Sequence, residues 1–225
     1  MRALTVHLKA TYLHLRTYIW AVIIIVLLGR LAEFIVSLFS NSNQKTGLAG
    51  GNLLLLLLII VAILLPISYY SRILHLGASR NQYFWGLQFV YTVWAVSLAL
   101  FNCLWPIFEV NVLHKNTYNL IEAFHWNDFG MIGSFLYQTT FYLMTMALLS
   151  MLISGSQHLL GWFMWLLLIV AIPTGTAIPT LRNHVVSFFD ALLFNRSLLN
   201  GVGFNLLLFF VFSVLSWFFT KKRTH

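Results

Sequence analysis

Two charged residues whose spacing suits an ion pair fall within an apolar stretch near the start of the chain. Arg30 and Glu33 are three residues apart, so on a helix they would share one face. A charged side chain inside a bilayer is costly and usually faces protein or a water-filled path. The pair therefore predicts a polar contact at a subunit interface or beside a translocation path. The alternative is a self-pair whose arginine reaches toward the lipid head groups.

The rest of the sequence offers few residues for a catalytic centre. Glu33 is the single acid within the apolar stretches, so a pair of intramembrane carboxylates is not expected. Neither Gly-x-Ser-x-Gly nor His-Glu-x-x-His occurs, and the eight histidines are scattered over termini, loops and the ends of apolar stretches. Cys103 is the one cysteine, which excludes an internal disulfide and a cysteine-based metal site. We therefore expect no enzyme, and no cofactor or metal bound by this chain.

A phosphate-binding loop is also absent from the sequence. The glycine-rich stretch Gly47–Gly51 lacks the lysine and the hydroxyl residue that Gly-x-x-x-x-Gly-Lys-[Ser/Thr] requires. If ATP drives this protein, a separate polypeptide must bind it.

Composition identifies the class of protein. The chain has 225 residues, of which 60% are hydrophobic and only 8% are charged. So few charges cannot cover a water-facing surface, which excludes a soluble globule, and so apolar a chain is not disordered. Its net charge of +8 is typical of cytoplasmic loops that face anionic lipid, and we expect no nucleic-acid partner.

Six stretches approach the ~20 apolar residues that cross a bilayer as a helix. They predict an all-α integral membrane protein, a single transmembrane domain over residues 1–225. The predicted spans are residues 19–39, 50–70, 83–105, 129–153, 159–178 and 198–219. If the N-terminus is cytoplasmic, eight of the 13 basic residues fall inside and four of the five acids fall outside. Because Lys and Arg bias sets orientation, both termini are expected in the cytoplasm.

Residues 1–18 precede the first predicted span and carry two stripes at helical spacing. One stripe is apolar and the other holds Arg2, Lys9 and Arg16. This pattern predicts a helix that lies in the cytoplasmic interface on membrane lipid. The alternative is an unstructured basic leader.

The connection between spans two and three, Ser71–Gln82, is basic and carries no acid. It also contains Ile73, Leu74 and Leu76, which a plain connector does not need. One interpretation is a short helix that docks on a cytoplasmic partner. The other is a pair of arginine anchors beside the bilayer.

The segment between spans five and six contains an apolar run, Val185–Phe194, too short to cross a bilayer and too apolar to sit in water. Such runs are typical of re-entrant or interfacial helices. We expect this one to dip into the outer leaflet and close a path from outside, with Asp190 at its polar rim. The predicted gate residues are Val185, Phe188, Phe189 and Asp190. The alternative is an ordinary surface loop.

Polar residues within the spans allow two interpretations. They form hydrogen bonds between helices, or they line a cavity. They are Asn102, Cys103, Gln138, Thr139, Thr140, Thr145, Thr174, Gly175 and Thr176.

The layout resembles the permease subunit of ABC-2 type ABC transporters, in the short bacterial six-helix form. Shared features are the interfacial helix, six spans with both ends inside, a basic connection after span two and an apolar outer segment after span five. The stretch Leu76–Phe84, Leu-Gly-Ala-Ser-Arg-Asn-Gln-Tyr-Phe, is similar to the Leu-Gly-x-Ser-Arg stretch before the third span of such permeases.

The resemblance implies an exporter in a bacterial cell membrane, built from two permeases and two ATP-binding subunits that hold ATP and Mg²⁺. It implies that the first and fifth spans form the permease–permease interface, and that the substrate is an amphipathic peptide, an antimicrobial or a lipid-like molecule. The ATPase-coupling residues that it implies are Arg72, Ile73, Leu74, Leu76, Gly77, Ser79 and Arg80. The alternatives are a membrane-embedded enzyme or scaffold that acts without an ATPase, or a secondary transporter.

Overall fold

The computed structural model describes residues 2–39, 50–75, 77–111 and 119–223, without the side chains of part of the first helix. Its α-helices are α1 (Arg2–Phe39), α2 (Gly50–Leu64), α3 (Tyr70–His75), α4 (Arg80–Asn111), α5 (Leu120–Ala123), α6 (Gly130–Gly155), α7 (Leu159–Ala177), α8 (Pro179–Leu193) and α9 (Leu198–Lys222). A π-helical turn, Leu65–Tyr69, joins α2 to α3, and a 3₁₀ turn, Trp126–Phe129, precedes α6.

Several of these helices are long and apolar enough to cross a membrane. Within the described residues they are Leu54–His75, Arg80–Glu109, Trp126–Gly155, Leu159–Ala177 and Leu198–Lys222, with a shorter apolar stretch at Leu15–Gly29. The chain therefore has the architecture of a multi-pass helical membrane protein. That α1 provides a sixth span stays a prediction.

Helix α1 differs from the prediction at its N-terminal part. Residues 2–18 are helical, but no break separates them from residues 19–39, because the helix runs continuously from Arg2 to Phe39. The sequence explains the continuity, since neither proline nor a run of turn residues interrupts this region. The first helix is thus one element of 38 residues.

Helix α6 lies at the centre of the bundle and contacts α2, α4, α7 and α9. A buried amide network joins it to α4. The Asn102 side-chain amide donates to Gln138 Oε1 and to the Tyr142 hydroxyl, both at 3.3 Å. All three side chains are at most 3% exposed. For Asn102 and Gln138 the prediction of interhelical hydrogen bonding is confirmed.

The turn between α3 and α4 is built by two capping motifs. Gly77 has a φ of 85°, and the Gly77 and Ala78 amides donate to the Leu74 and Ile73 carbonyls at 3.0 and 3.3 Å. These bonds form a Schellman motif, which ends the helix. Ser79 and Gln82 then bond reciprocally, with the Gln82 amide donating to Ser79 Oγ and the Ser79 amide donating to Gln82 Oε1. This capping box begins α4.

The prediction of a separate short helix over Ser71–Gln82 is therefore wrong. Residues 71–75 are the last turn of the long α2–α3 helix, and residues 80–82 are the first turn of α4. The physical reason is that Gly77 adopts a left-handed conformation and Ser79 caps the next helix, which leaves a tight turn between two spans.

Two arginines hold this end of the bundle together. Arg80 Nη1 donates to the Lys221 carbonyl near the C-terminus of α9. Arg223 Nη1 donates to the Pro66 carbonyl at 2.7 Å, and its guanidinium lies 4.3 Å from the centre of the Tyr70 ring. We call this end the turn end. The opposite end, where α4 ends and α6 and α9 begin, is called the cap end.

Candidate functional site

Helix α8 and its neighbours form the candidate site. Ile178 is extended and Pro179 takes the first helical position, where a missing amide hydrogen costs nothing. Helix α7 continues past Pro173 and ends at Ala177, so the two helices form a hairpin. The run Val185–Phe194 is helical up to Leu193, as predicted.

The hairpin is closed by a glycine contact. A Cβ atom on Gly175 would lie 2.6 Å from Cγ2 of Val185. Glycine is therefore required for α7 and α8 to approach this closely, as small residues commonly are where membrane helices meet. Gly175 thus serves helix packing.

Three side chains hold the C-terminus of α8 against the rest of the bundle. Trp126 Nε1 donates to the Leu193 carbonyl at 2.8 Å, and the Tyr137 hydroxyl donates to the Leu192 carbonyl at 3.0 Å. Asn205 Nδ2 also donates to the Leu192 carbonyl, at 3.3 Å. The last carbonyls of a helix have no partner within it, so these donors satisfy them away from water.

An apolar chamber of about 530 Å³ lies between α6, α7, α8 and α9. Its walls include Met151, Leu168, Leu208 and Phe212, and its polar side chain is His184. Chambers of this size and polarity suit small apolar molecules. The chamber can hold an acyl chain or an amphipathic ligand, with His184 as the hydrogen-bonding group.

A polar cavity of about 500 Å³, which we call the vestibule, lies at the cap end. Its lining includes His125, Asp128, Asp190 and Arg196. The backbone of His125 is left-handed, with a φ of 57°, an uncommon conformation for a non-glycine residue. The vestibule is therefore lined by both acidic and basic side chains, and one of the acids, Asp190, belongs to α8.

The predicted gate residues divide between the two cavities. Val185, Phe188 and Phe189 line the chamber, whereas Asp190 lines the vestibule. Residues spaced three and four apart share one helix face, so residues 185, 188 and 189 lie on one side and Asp190 lies on the other. Helix α8 therefore contributes residues to both an apolar and a polar space.

The predicted coupling residues differ in how far they are exposed. Ile73 is 5% exposed and packs in the core, and its role as a docking contact stays a prediction. Leu74 is half-buried against the same core. Gly77 and Ser79 are exposed in the turn, and Arg80 is bonded to the Lys221 carbonyl.

The structure gives less detail for the remaining predicted residues. Arg72 lies on the exposed side of α3 and has an interaction partner. Leu76 and the side chains of Arg30 and Glu33 lie outside the described residues.

Sequence reasoning missed Trp126, Tyr137 and Asn205, the three donors to the C-terminus of α8. The signal for Asn205 was a lone amide in an apolar span, where polar groups need partners. Glu109 lies beyond residue 105, the predicted end of span three. In the structure it is on α4, is 1% exposed and accepts a hydrogen bond from Trp105 Nε1 at 2.7 Å.

Other side chains from the predicted polar set bond within their own helices. Thr139, Thr140, Thr145, Thr174 and Thr176 each donate to a carbonyl three or four residues earlier. In the part of the chain that the structure describes, no group of three or more His, Cys, Asp or Glu side chains is placed to hold a metal ion.

No family model matches the chain, and no curated protein and no solved structure matches it either. The fold and its cavities therefore define the class as a multi-pass helical membrane protein.

A bulky residue in the chamber should displace an apolar ligand. Leu208→Trp fills part of the chamber, and we expect it to weaken binding of N-phenyl-1-naphthylamine about tenfold. Fluorescence titration of the purified chain measures this. Leu207→Trp is the matched control, because Leu207 is 57% exposed and absent from the chamber lining. Equal binding by both variants would show that the probe binds elsewhere.

Proposed function

We propose that the chain is the membrane-embedded permease subunit of an ATP-driven exporter of amphipathic molecules. It acts with a second permease subunit in the cell membrane, with both termini in the cytoplasm. A separate ABC-type ATP-binding subunit holds ATP and Mg²⁺. The resemblance of the layout to short ABC-2 permeases and the absence of a phosphate-binding loop from the sequence support the division into two polypeptides.

The division made by α8 carries the proposal. Residues on one face of this helix line the apolar chamber, and Asp190, near its C-terminus, lines the charged vestibule. A molecule with an apolar and a polar part fits a path that joins such spaces. Displacement of α8 from α7 opens that path, while the donors at its C-terminus act as the hinge.

The charge distribution supports a partner at the turn end. Its arginines and lysines include Arg72, Arg80, Lys221, Lys222 and Arg223, whereas Glu109, Glu122, Asp128 and Asp190 lie on elements of the cap end. An acidic surface on an ATP-binding subunit would be attracted without opposition. Because Ile73 is buried, the docking contact is the exposed turn at Gly77 and Ser79 rather than an apolar helix face.

A charge placed in this turn tests the docking. Ser79→Asp keeps a side chain that caps α4 well and adds a negative charge at an exposed position. We expect at least about a tenfold loss of ATP-binding-subunit association, with unchanged Tm. The measurement is affinity purification of the full chain with quantitative mass spectrometry, followed by ATP hydrolysis assays.

Ser79→Asn is the matched control, since asparagine caps as well as aspartate and carries no charge. We expect it to retain the partner. If the parent chain recovers no phosphate-loop protein, the ATP-driven assignment fails. Probe movement in vesicles containing the chain alone would then favour a secondary transporter, and no movement would favour a scaffold or enzyme.

A further inference from the structure

A third cavity, of about 390 Å³, lies between α4 and α9 toward the turn end. It shares no lining residue with the chamber. We call it the aromatic groove, because its walls include Phe84, Trp85, Phe209, Phe210 and Trp217.

Two polar side chains line this groove without a hydrogen-bond partner. Gln88 is 9% exposed, and neither its amide oxygen nor its amide nitrogen is bonded. Ser213 is 8% exposed, and its hydroxyl is also unbonded. Buried polar atoms without partners are rare in folded proteins, and each costs the free energy of its lost hydration.

The two groups lie at the same depth in the bundle. Gln88 lies eight residues after the start of α4 and Ser213 nine residues before the end of α9, which places them about 12 and 14 Å from the turn end. Both residues therefore lie within the apolar helices Arg80–Glu109 and Leu198–Lys222, and in a bilayer polar groups on such helices are satisfied by protein or ligand.

From this geometry we propose that the aromatic groove binds an amphipathic lipid with an uncharged hydroxyl head group, such as a monoacylglycerol. A hydroxyl both donates and accepts, as the amide of Gln88 requires. The aromatic walls cover the acyl chain. The groove lining carries no titratable group, so a charged head would be buried without an opposite charge.

The mouth of the groove suggests how a charged lipid would differ. Lys221 Nζ lies 3.9 Å from the centre of the Trp217 ring, at the rim. An anionic lipid would contact this lysine and leave Gln88 unbonded. Binding through Gln88 and binding through Lys221 are therefore distinguishable by substitution.

The test is saturation binding of tritiated monooleoylglycerol to the full chain in phosphatidylcholine nanodiscs. We expect saturable binding, a loss of affinity of about tenfold in Gln88→Leu and a smaller loss in Ser213→Ala. Thr92→Val is the matched control, because Thr92 lies one turn further along α4, bonds the Gln88 carbonyl and is absent from the groove lining. It should bind like the parent.

The Tm of Gln88→Leu gives a second readout, because it is expected to rise while the affinity for lipid falls. Without ligand, Gln88→Leu removes two unbonded polar atoms, so we expect Tm to rise by about 2 to 4 °C. If Gln88 had only a structural role, replacing it with leucine would lower Tm. Retained affinity in Gln88→Leu, or no saturable binding by the parent, overturns the proposal.

Two further results would assign the groove differently and so overturn the proposal. The first is preferential binding of phosphatidylglycerol that Lys221→Gln abolishes and Gln88→Leu does not. The second is efficient oxidative cross-linking of Val214→Cys between two chains, which would make the groove an interface between copies.

Discussion

Replacing Gly201 with valine is expected to lower the free energy of unfolding by about 3 kcal/mol, the upper end for overpacking a tight contact. A Cβ on Gly201 would lie 2.5 Å from the hydroxyl oxygen of Tyr137 and 2.6 Å from its Cζ. Tyr137 cannot yield, because it is fully buried and stacks on Trp126 at 4.9 Å between ring centres. The substitution therefore separates α9 from the central helix α6.

The same substitution should release α8. The Tyr137 hydroxyl donates to the Leu192 carbonyl, so any displacement of the ring breaks one of the three bonds that hold the end of α8. Thermal unfolding in detergent measures the stability, and a Tm lower by about 6 °C or more is expected.

Gly203→Val is the matched control, since Gly203 lies on the same helix and a Cβ there meets nothing within 4 Å. It is expected to leave Tm unchanged or to raise it slightly, because valine forms helices better than glycine. A Gly201→Val chain as stable as Gly203→Val would contradict the close α6–α9 contact.

The helices themselves were predictable from the sequence, because long apolar runs in a chain with few charges have no other stable form. The positions where the helices begin and end were less predictable. Span three was expected over residues 83–105, but α4 runs from Arg80 to Asn111 and contains Pro106. A proline within a membrane helix is tolerated when neighbours satisfy the freed carbonyl, so it did not mark the end of the span.

The residues of the turn after span two have two explanations, one as capping motifs and one as a docking contact. Gly77, Ser79 and Gln82 are residues of a Schellman motif and a capping box, a local explanation that needs no partner. Ile73 was read as a docking contact because apolar residues in a loop need burial. The structure buries it within the bundle instead, which no local pattern reveals.

Helix α8 was predictable as an apolar element of limited length. The surroundings of α8 were not predictable, because α6, α7 and α9 form the rest of the chamber and residues near 125 and 196 form the rest of the vestibule. Such contacts join positions far apart in the chain, as between Trp126 and Leu193, which are 67 residues apart, and a single sequence holds no signal for them.

Locking α8 to α7 is expected to abolish transport if α8 is the moving wall. In the double variant Gly175→Cys, Val185→Cys, the two Cβ atoms would be about 3.9 Å apart, within the range for an unstrained disulfide. Cysteine at 185 also removes the Cγ2 atom that would clash with a Cβ at 175. The assay rests on the proposed function and is ATP-driven movement of a fluorescent acyl probe, in vesicles that contain the chain together with the ATP-binding subunit proposed to co-purify with it.

The oxidised double variant should lose more than about 90% of this movement and recover it after reduction, because the disulfide fixes the distance that must grow when the path opens. Each single variant, treated with the same oxidant, controls for the substitutions and for buried Cys103, which all variants share. Binding of N-phenyl-1-naphthylamine should persist in the oxidised form, since the disulfide keeps α7 and α8 in the arrangement that lines the chamber. Full movement despite complete disulfide formation would show that α8 does not move away from α7 during transport.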